Sequence, residues 1–262
     1  MLGPDQTLAA SALLFDHWQN GRRLQALPPD LRPATRAEGY AIQAHLEERS
    51  ASPVFGWKIA ATSRAGQVHI GVDGPMAGRI LLERVIESGA AVPLGANHMR
   101  VAEIEFAFRM GRDLPPRSTS YAPQEVLAAV DSLHPAIELS DSRFEDFATV
   151  GAPQLISDNA CAHLFVLGPP STAEWRTIDL AEHKVLGRVA GRFEREGKGA
   201  NVLDDPRLAL AWLANELSQL GITLKAGQVV TTGTCTVPIE ITGGDEVFGS
   251  LGILGEVSVR IL

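Results

Sequence analysis

Cysteine is scarce in this chain of 262 residues: Cys161 and Cys235 are the only two, and they lie far apart. With no C-x-x-C pair, the count argues against a structural zinc site or dithiol redox couple and excludes a disulfide framework. Long apolar runs are missing too, so no transmembrane helix is predicted. The amino terminus, Met1-Leu-Gly-Pro-Asp-Gln, has no basic segment followed by an apolar one, so no secretory signal is read. Basic residues number 23 against 31 acidic ones, for a net charge of −8, and they do not cluster. Nucleic acid and anionic membrane are therefore poor partners. The 7 histidines form no H-x-x-x-H pair, which leaves a zinc hydrolase unsupported. Gly197-Lys-Gly199 is too short for a phosphate loop, and Gly249-Ser-Leu-Gly252 is not a nucleophile elbow. These absences lead us to expect a soluble cytoplasmic protein.

With 45% hydrophobic and 21% charged residues, the chain can bury one large core or two modest ones. Leu8, Leu13, Leu14, Phe15 and Trp18 recur at helical spacing over 5–19, and Asn20-Gly21 stops that helix. Thr35 can cap a second helix over 36–49, with Tyr40, Ile42 and Leu46 on one stripe. Short strands dominate from Gly56 onward: 55–61, 79–82, 101–109, 135–140, 163–167, 184–190, 228–232 and 256–261. Helices interrupt at 123–132 and 206–219. Strands and helices do not alternate regularly, which disfavours a doubly wound parallel sheet. The expected fold class is α+β, a mixed β-sheet rolled or barrel-like, with an N-terminal helical cap over 1–52 and a catalytic unit over 53–262.

Two of these strands carry carboxylates where an apolar core is expected. In Val101-Ala-Glu-Ile-Glu-Phe-Ala-Phe108, side chains alternate across the pleat. Glu103 and Glu105 share one face, while Ile104, Phe106 and Phe108 take the other. Glu138 sits between Ile137 and Leu139 in a second apolar strand. A Glu-x-Glu strand is most often a solvated face. Three carboxylates brought together instead make an oxygen-rich site for Mg²⁺ or Mn²⁺, with positions left for water and substrate.

An ordered set of segments decides between the two. It comprises Ala37-Glu-Gly-Tyr-Ala-Ile-Gln43, Gly56-Trp-Lys-Ile-Ala-Ala-Thr-Ser63, Gly71-Val-Asp-Gly-Pro75, Ala102-Glu-Ile-Glu105 and Gly111-Arg-Asp-Leu114. Further on come Pro135-Ala-Ile-Glu-Leu-Ser-Asp-Ser-Arg143, Ser157-Asp-Asn-Ala160, Ala200-Asn-Val-Leu203, Ala211-Trp-Leu-Ala-Asn215, Thr232-Gly-Thr234 and Leu254-Gly-Glu-Val-Ser-Val259. Together they resemble the 2-keto-4-pentenoate hydratase and 4-oxalocrotonate decarboxylase family, within the fumarylacetoacetate hydrolase superfamily, over almost the whole chain. The resemblance implies a divalent metal on Glu103, Glu105 and Glu138, and homo-oligomers or a hetero-complex with a related pathway enzyme. It also implies small 2-oxo or 2-hydroxy-dienoic acid substrates from the breakdown of aromatic compounds. The family commonly has glycine at Ala60, glutamine at Gly74 and serine at Cys161. A thiol donates a weaker hydrogen bond than a hydroxyl.

A 2-oxo acid can chelate a metal through its C2 oxygen and a carboxylate oxygen, so that a developing enolate is held. In a hydratase, protonation of the dienol at C5 gives a 2-oxo-3-enoate, and water adds at C4. In a decarboxylase the same sink takes the electrons left by CO₂. Lys58, in an otherwise apolar strand, is expected to meet a substrate carboxylate or enolate oxygen. Asp73, in a glycine-rich turn, is the candidate to move the proton or orient Lys58. Asn159, Cys161 and Thr234 are candidate substrate contacts. A hydratase is the leading expectation, a decarboxylase the alternative, and a non-catalytic partner subunit or metabolite-binding protein a third. No His–Glu dyad of the hydrolytic kind is found by motif.

Overall fold

The computed structural model describes residues 1–262. The chain opens with helices α1 (Pro4–Asn20), α2 (Arg36–Ala44) and α3 (Leu46–Arg49), followed by β1 (Gly56–Ala60), α4 (Arg64–His69), β2 (Met76–Ile80), β3 (Val85–Glu87) and β4 (Ala91–Val92). The centre holds β5 (Val101–Met110), α5 (Pro123–Leu127), β6 (Val130–Ser140), α6 (Ala152–Ser157) and β7 (Leu164–Leu167). The remainder is β8 (Lys184–Val189), β9 (Phe193–Lys198), α7 (Pro206–Gln219), β10 (Val229–Thr231), β11 (Ile239–Glu240), β12 (Glu246–Ser250) and β13 (Glu256–Ile261). No helix is long and apolar enough to cross a membrane.

Two mixed sheets form. The larger runs β2-β1-β10-β5-β6-β7-β3, with β11 beside β5, and the smaller runs β4-β13-β12-β8-β9. This is the α+β, mixed-sheet architecture read from the strand pattern. The longest pairing is β5 with β6, from Val101↔Ser140 to Met110↔Val130. It also corrects one expectation. The helix read over 123–132 ends at Leu127, because Val130 onward joins the ladder and tertiary pairing overrides the local pattern. The strand read over 79–82 lies earlier, at 76–80, set by its register with β1.

The main core lies on the Ile104, Phe106 and Phe108 face of β5, where Ile104 reaches the second sheet at Gly187 and Gly249. Helix α7 closes that core with Ala209, Leu210, Leu213 and Leu217, the apolar stripe of an amphipathic helix. Asp205 caps it through the amide of Arg207, and Pro206 opens its first turn.

The larger sheet curls until its ends approach: Ile80 of β2 and Phe165 of β7 share one apolar cluster. The free edge of β2 is blunted by side chains. Tyr40 accepts from the Ala77 amide at 3.1 Å, and Gln43 donates to the Ala77 carbonyl at 2.9 Å. Thr35 caps α2 through the Glu38 amide, as its position suggests. The N-terminal helices pack outside the curl: Ala10, Leu14 and Ile42 meet Phe144, and Trp18 donates to His163 at 2.8 Å.

Leu213, on α7, is fully buried. Leu213→Ala is expected to cost about 2–5 kcal/mol, read as a lowered denaturation midpoint.

Candidate metal centre

Strand register assembles the glutamates. Glu103 faces Glu138 directly across the antiparallel β5–β6 pair, and Glu105 lies two residues further along the same face. Thr231 of β10 is in register with Ala107 on one side and Lys58 on the other, which puts both on that face. One carboxylate oxygen from each glutamate lies within 4.8 Å of the others. One layer deeper, Ala107, Ala136, Val229, Ile80 and Phe165 form a buried apolar cluster. Glu105 and Glu138 are buried, whereas Glu103 is half-buried and marks the open side.

Each carboxylate has a distinct set of partners. Glu105 Oε2 accepts from the Thr231 hydroxyl and, at 2.7 Å, from the Gly233 amide. Gly233 has φ +100°, and a Cβ there would lie 2.1 Å from Thr62 Oγ1, so only glycine fits. Glu138 Oε1 lies 3.0 Å from Lys58 Nζ. The Ser140 hydroxyl points to Glu103 Oε2 at 3.5 Å. Glu105 Oε1 and Glu138 Oε2 remain buried with no hydrogen-bond partner. Orphaned buried carboxylate oxygens are costly, and two that converge with a third carboxylate suit a hard divalent cation.

The electrostatics agree. Burial raises Glu105 well above the ordinary carboxylate range, and Glu138 and Glu103 raise it further. Burial pushes Glu138 up to about 7, against the pull of Lys58. Glu103 is raised by burial and held back by Lys58. For Lys58, burial works against the charge, but Glu138 and Glu103 outweigh it and its value is raised.

The other sequence candidates divide. Lys58 is buried against the cluster, as its apolar strand implies. Cys161 is half-buried, with its thiol pushed up to about 12 by burial, so it stays protonated. Asp73 is a correction: its side chain is 84% exposed and pairs with Arg36 at 3.1 Å. The turn after Gly71, at φ 64°, carries that carboxylate to α2. Asn159 is placed at the β2 edge: its amide accepts from Arg79 N at 2.6 Å and donates to Arg79 O at 2.8 Å. The Thr234 hydroxyl donates to the Thr236 carbonyl at 2.9 Å. Sequence reasoning missed Thr231, Gly233 and Ser140. Strand parity could have found Thr231, because Val229-Val-Thr places it on one face with a β-branched donor.

Residues 80–261 match the family model described as fumarylacetoacetate (FAA) hydrolase C-terminal. The chain belongs to the fumarylacetoacetate hydrolase family. Among curated relatives, the 2-keto-4-pentenoate hydratase of Paraburkholderia xenovorans (strain LB400) is 31% identical over 245 residues, covering 92% of this chain and 90% of that one. A 4-oxalocrotonate decarboxylase of a Pseudomonas species is 33% identical over 216 residues, covering 82% and 81%. Among solved structures of this fumarylacetoacetate hydrolase fold, the 4-oxalocrotonate decarboxylase from Pseudomonas putida G7, complexed with magnesium and adipate, superposes with a TM-score of 0.90. It is 26% identical and covers 100% of this chain and 99% of that one.

Two outcomes follow from the geometry. Glu105→Gln keeps an acceptor for Thr231 and Gly233 but removes one of three repelling charges. Calorimetry is expected to show loss of Mg²⁺ binding, while the ion-free variant melts at or above wild type. The pH dependence has a definite sign. Folded Glu138 holds its proton up to about 7, while the unfolded side chain releases it near 4.5. The ion-free protein should therefore lose stability as pH rises through that window, and stabilisation by added Mg²⁺ should grow over the same window. Thermal melts with and without Mg²⁺ at pH 5 and pH 8 measure both.

Proposed function

We propose that this protein is a divalent-metal-dependent hydratase. It adds water to a 2-hydroxy-2,4-dienoate, through its 2-oxo-enoate form, to give a 4-hydroxy-2-oxo acid in aromatic-compound catabolism. The observation that carries this reading is the convergence of three glutamates, two of them with an orphaned buried oxygen, beside one buried ammonium. Glu103, Glu105 and Glu138 would hold Mg²⁺ or Mn²⁺. When bound, the ion supplies Lewis-acid polarisation of a 2-oxo group and a charge to hold the enolate.

The chain's own residues do the rest. Lys58 has three N–H donors. One goes to Glu138 and one to the Ala160 carbonyl at 2.9 Å. The third is free for a substrate carboxylate or enolate oxygen. With its proton held by the surrounding carboxylates, Lys58 contributes fixed positive charge instead of acting as a base at neutral pH. Thr231 and Gly233 fix one oxygen of Glu105, so the other is aimed before any ligand arrives. Glu103, the half-buried member of the cluster, is the side from which substrate would approach. A cytoplasmic homo-oligomer is part of the same reading, as is association with a related pathway enzyme.

Decarboxylation of a 2-oxo diacid is the second reading, favoured by the fold match to the decarboxylase. It needs the same cluster, so product analysis separates the two. Incubation with Mg²⁺ and 2-hydroxypenta-2,4-dienoate is expected to bleach the dienol absorbance and yield 4-hydroxy-2-oxopentanoate. Release of CO₂ from a 2-oxo diacid, with the dienoate untouched, would establish the decarboxylase instead. Oxalate should inhibit competitively and bind only when metal is present. Binding of oxalate to chelator-stripped protein would remove the chelation mode.

Lys58→Met keeps the apolar stem and deletes the charge. It is expected to melt near wild type and lose about 10²–10³-fold in kcat. Asp73→Asn, by contrast, should leave kcat unchanged. A collapse of turnover in that variant would return Asp73 to the site.

A further inference from the structure

Lys58 is aimed by a piece of backbone that ordinary residues resist adopting. Asn159, Ala160 and Cys161 follow one another at φ 55°, 51° and 61°, and none is glycine. Consecutive left-handed L-residues persist only where their surroundings over-determine them. Here the surroundings are visible. The Asn159 amide pairs with both backbone groups of Arg79, at 2.6 and 2.8 Å, much as a neighbouring strand would. The turn is thereby fastened to the free edge of β2.

The same turn lies against the inner face beside Lys58. A Cβ on Gly78 would fall 2.5 Å from the Asn159 carbonyl oxygen and 3.0 Å from Lys58 Cγ and Cδ. Gly78 is therefore the opening in which both the turn and the lysine stem are seated. From that seat the Ala160 carbonyl accepts from Lys58 Nζ at 2.9 Å, with Glu138 Oε1 at 3.0 Å. Two fixed acceptors define where the ammonium sits, and hence where its remaining proton points.

We propose that Asn159 is a positioning residue for Lys58: by pairing with the Arg79 backbone it locks the left-handed turn whose Ala160 carbonyl fixes the ammonium. This rests on the reading that Lys58 acts on substrate. Asn159 touches no reacting atom and works through a carbonyl one residue away. Gly78 serves the same end by omission, since any side chain there would displace the turn.

A double-mutant cycle tests it. Asn159→Ala and Gly78→Ala are each made alone and on the Lys58→Met background. Mg²⁺ affinity, melting temperature, and kcat and KM on the dienoate are measured, with rates corrected for folded fraction. Asn159→Ala alone is expected to lower kcat by about 10–10²-fold, the usual consequence of misplacing a catalytic group, while KM and Mg²⁺ affinity change little. On the Lys58→Met background the same substitution should change kcat by less than about twofold, because coupled residues are not additive. Equal losses in both backgrounds, or an undiminished kcat in the single variant, would overturn the proposal. If Asn159→Ala does not fold, Gly78→Ala decides in the same cycle.

A readout independent of turnover separates this proposal from the functional reading. In a ¹⁵N–¹H lysine spectrum, the buried Lys58 ammonium should give a slowly exchanging signal that Asn159→Ala shifts or broadens. An unmoved signal overturns the positioning role whatever the activity. A shifted signal in a protein that turns over neither dienoate nor diacid supports positioning and overturns the hydratase reading alone.

Discussion

Carboxylates crowded inside a protein repel one another, and only nearby positive charge can offset that repulsion. Here three glutamates place oxygens within 4.8 Å of each other, and a single ammonium, Lys58, stands among them. Fully ionised, three negative charges and one positive leave a formal charge of −2, which one divalent cation cancels. The hydroxyl of Thr231 and the amide of Gly233 add dipoles but no charge. Without an ion the site must hold protons or carry strain. The same arithmetic explains why Lys58 sits in an apolar strand: replaced by a neutral residue, it would leave the cluster one charge further from balance.

The fold is bent around this requirement. Lys58 on β1 and Glu138 on β6 are three strands apart in the sheet order. In a flat sheet that separation is roughly 14 Å, three spacings of about 4.8 Å. The observed 3.0 Å between their charged atoms is possible because the sheet curls and its inner face closes on itself. Curling leaves β2 and β7 near one another but unpaired, and the β2 edge must be satisfied by other means. Tyr40, Gln43 and Asn159 do that with side chains. Elements far apart in sequence, at residues 40–43 and at 159, are thus tied to the strand that flanks Lys58.

Much of this was legible in the order of residues. Alternation along Val101–Phe108 put Glu103 and Glu105 on one face, because the period of a strand leaves no other choice. The apolar neighbours of Glu138 and Lys58 marked both as buried. Other features were not legible, for physical reasons. Asp73 and Thr234 sit in turns, where side-chain direction depends on local φ and on whichever partner is near: Arg36 for one and the Thr236 carbonyl for the other. Asn159 pairs with a strand edge 80 residues earlier, a partner that no local pattern announces. Strand β6 begins before its local pattern suggests, because pairing with β5 continues to Val130.

Hydration and decarboxylation make the same demand on the glutamates and Lys58, so the choice between them cannot reside in that layer. Nor do the buried Ala107, Ala136, Val229, Ile80 and Phe165 side chains below it offer a polar group to tell the two substrates apart. Of the three glutamates only Glu103 is half exposed, so under the proposed function a substrate anchored at the cluster would extend past it. Chain leaving the strand ends forms turns here: the segment after Ala60 that leads to α4, the left-handed turn at 159–161, and the stretch from Gly233 to Thr236. Turns tolerate substitution better than paired strands. One charge-balanced layer can therefore keep its geometry while the turns at the strand ends vary.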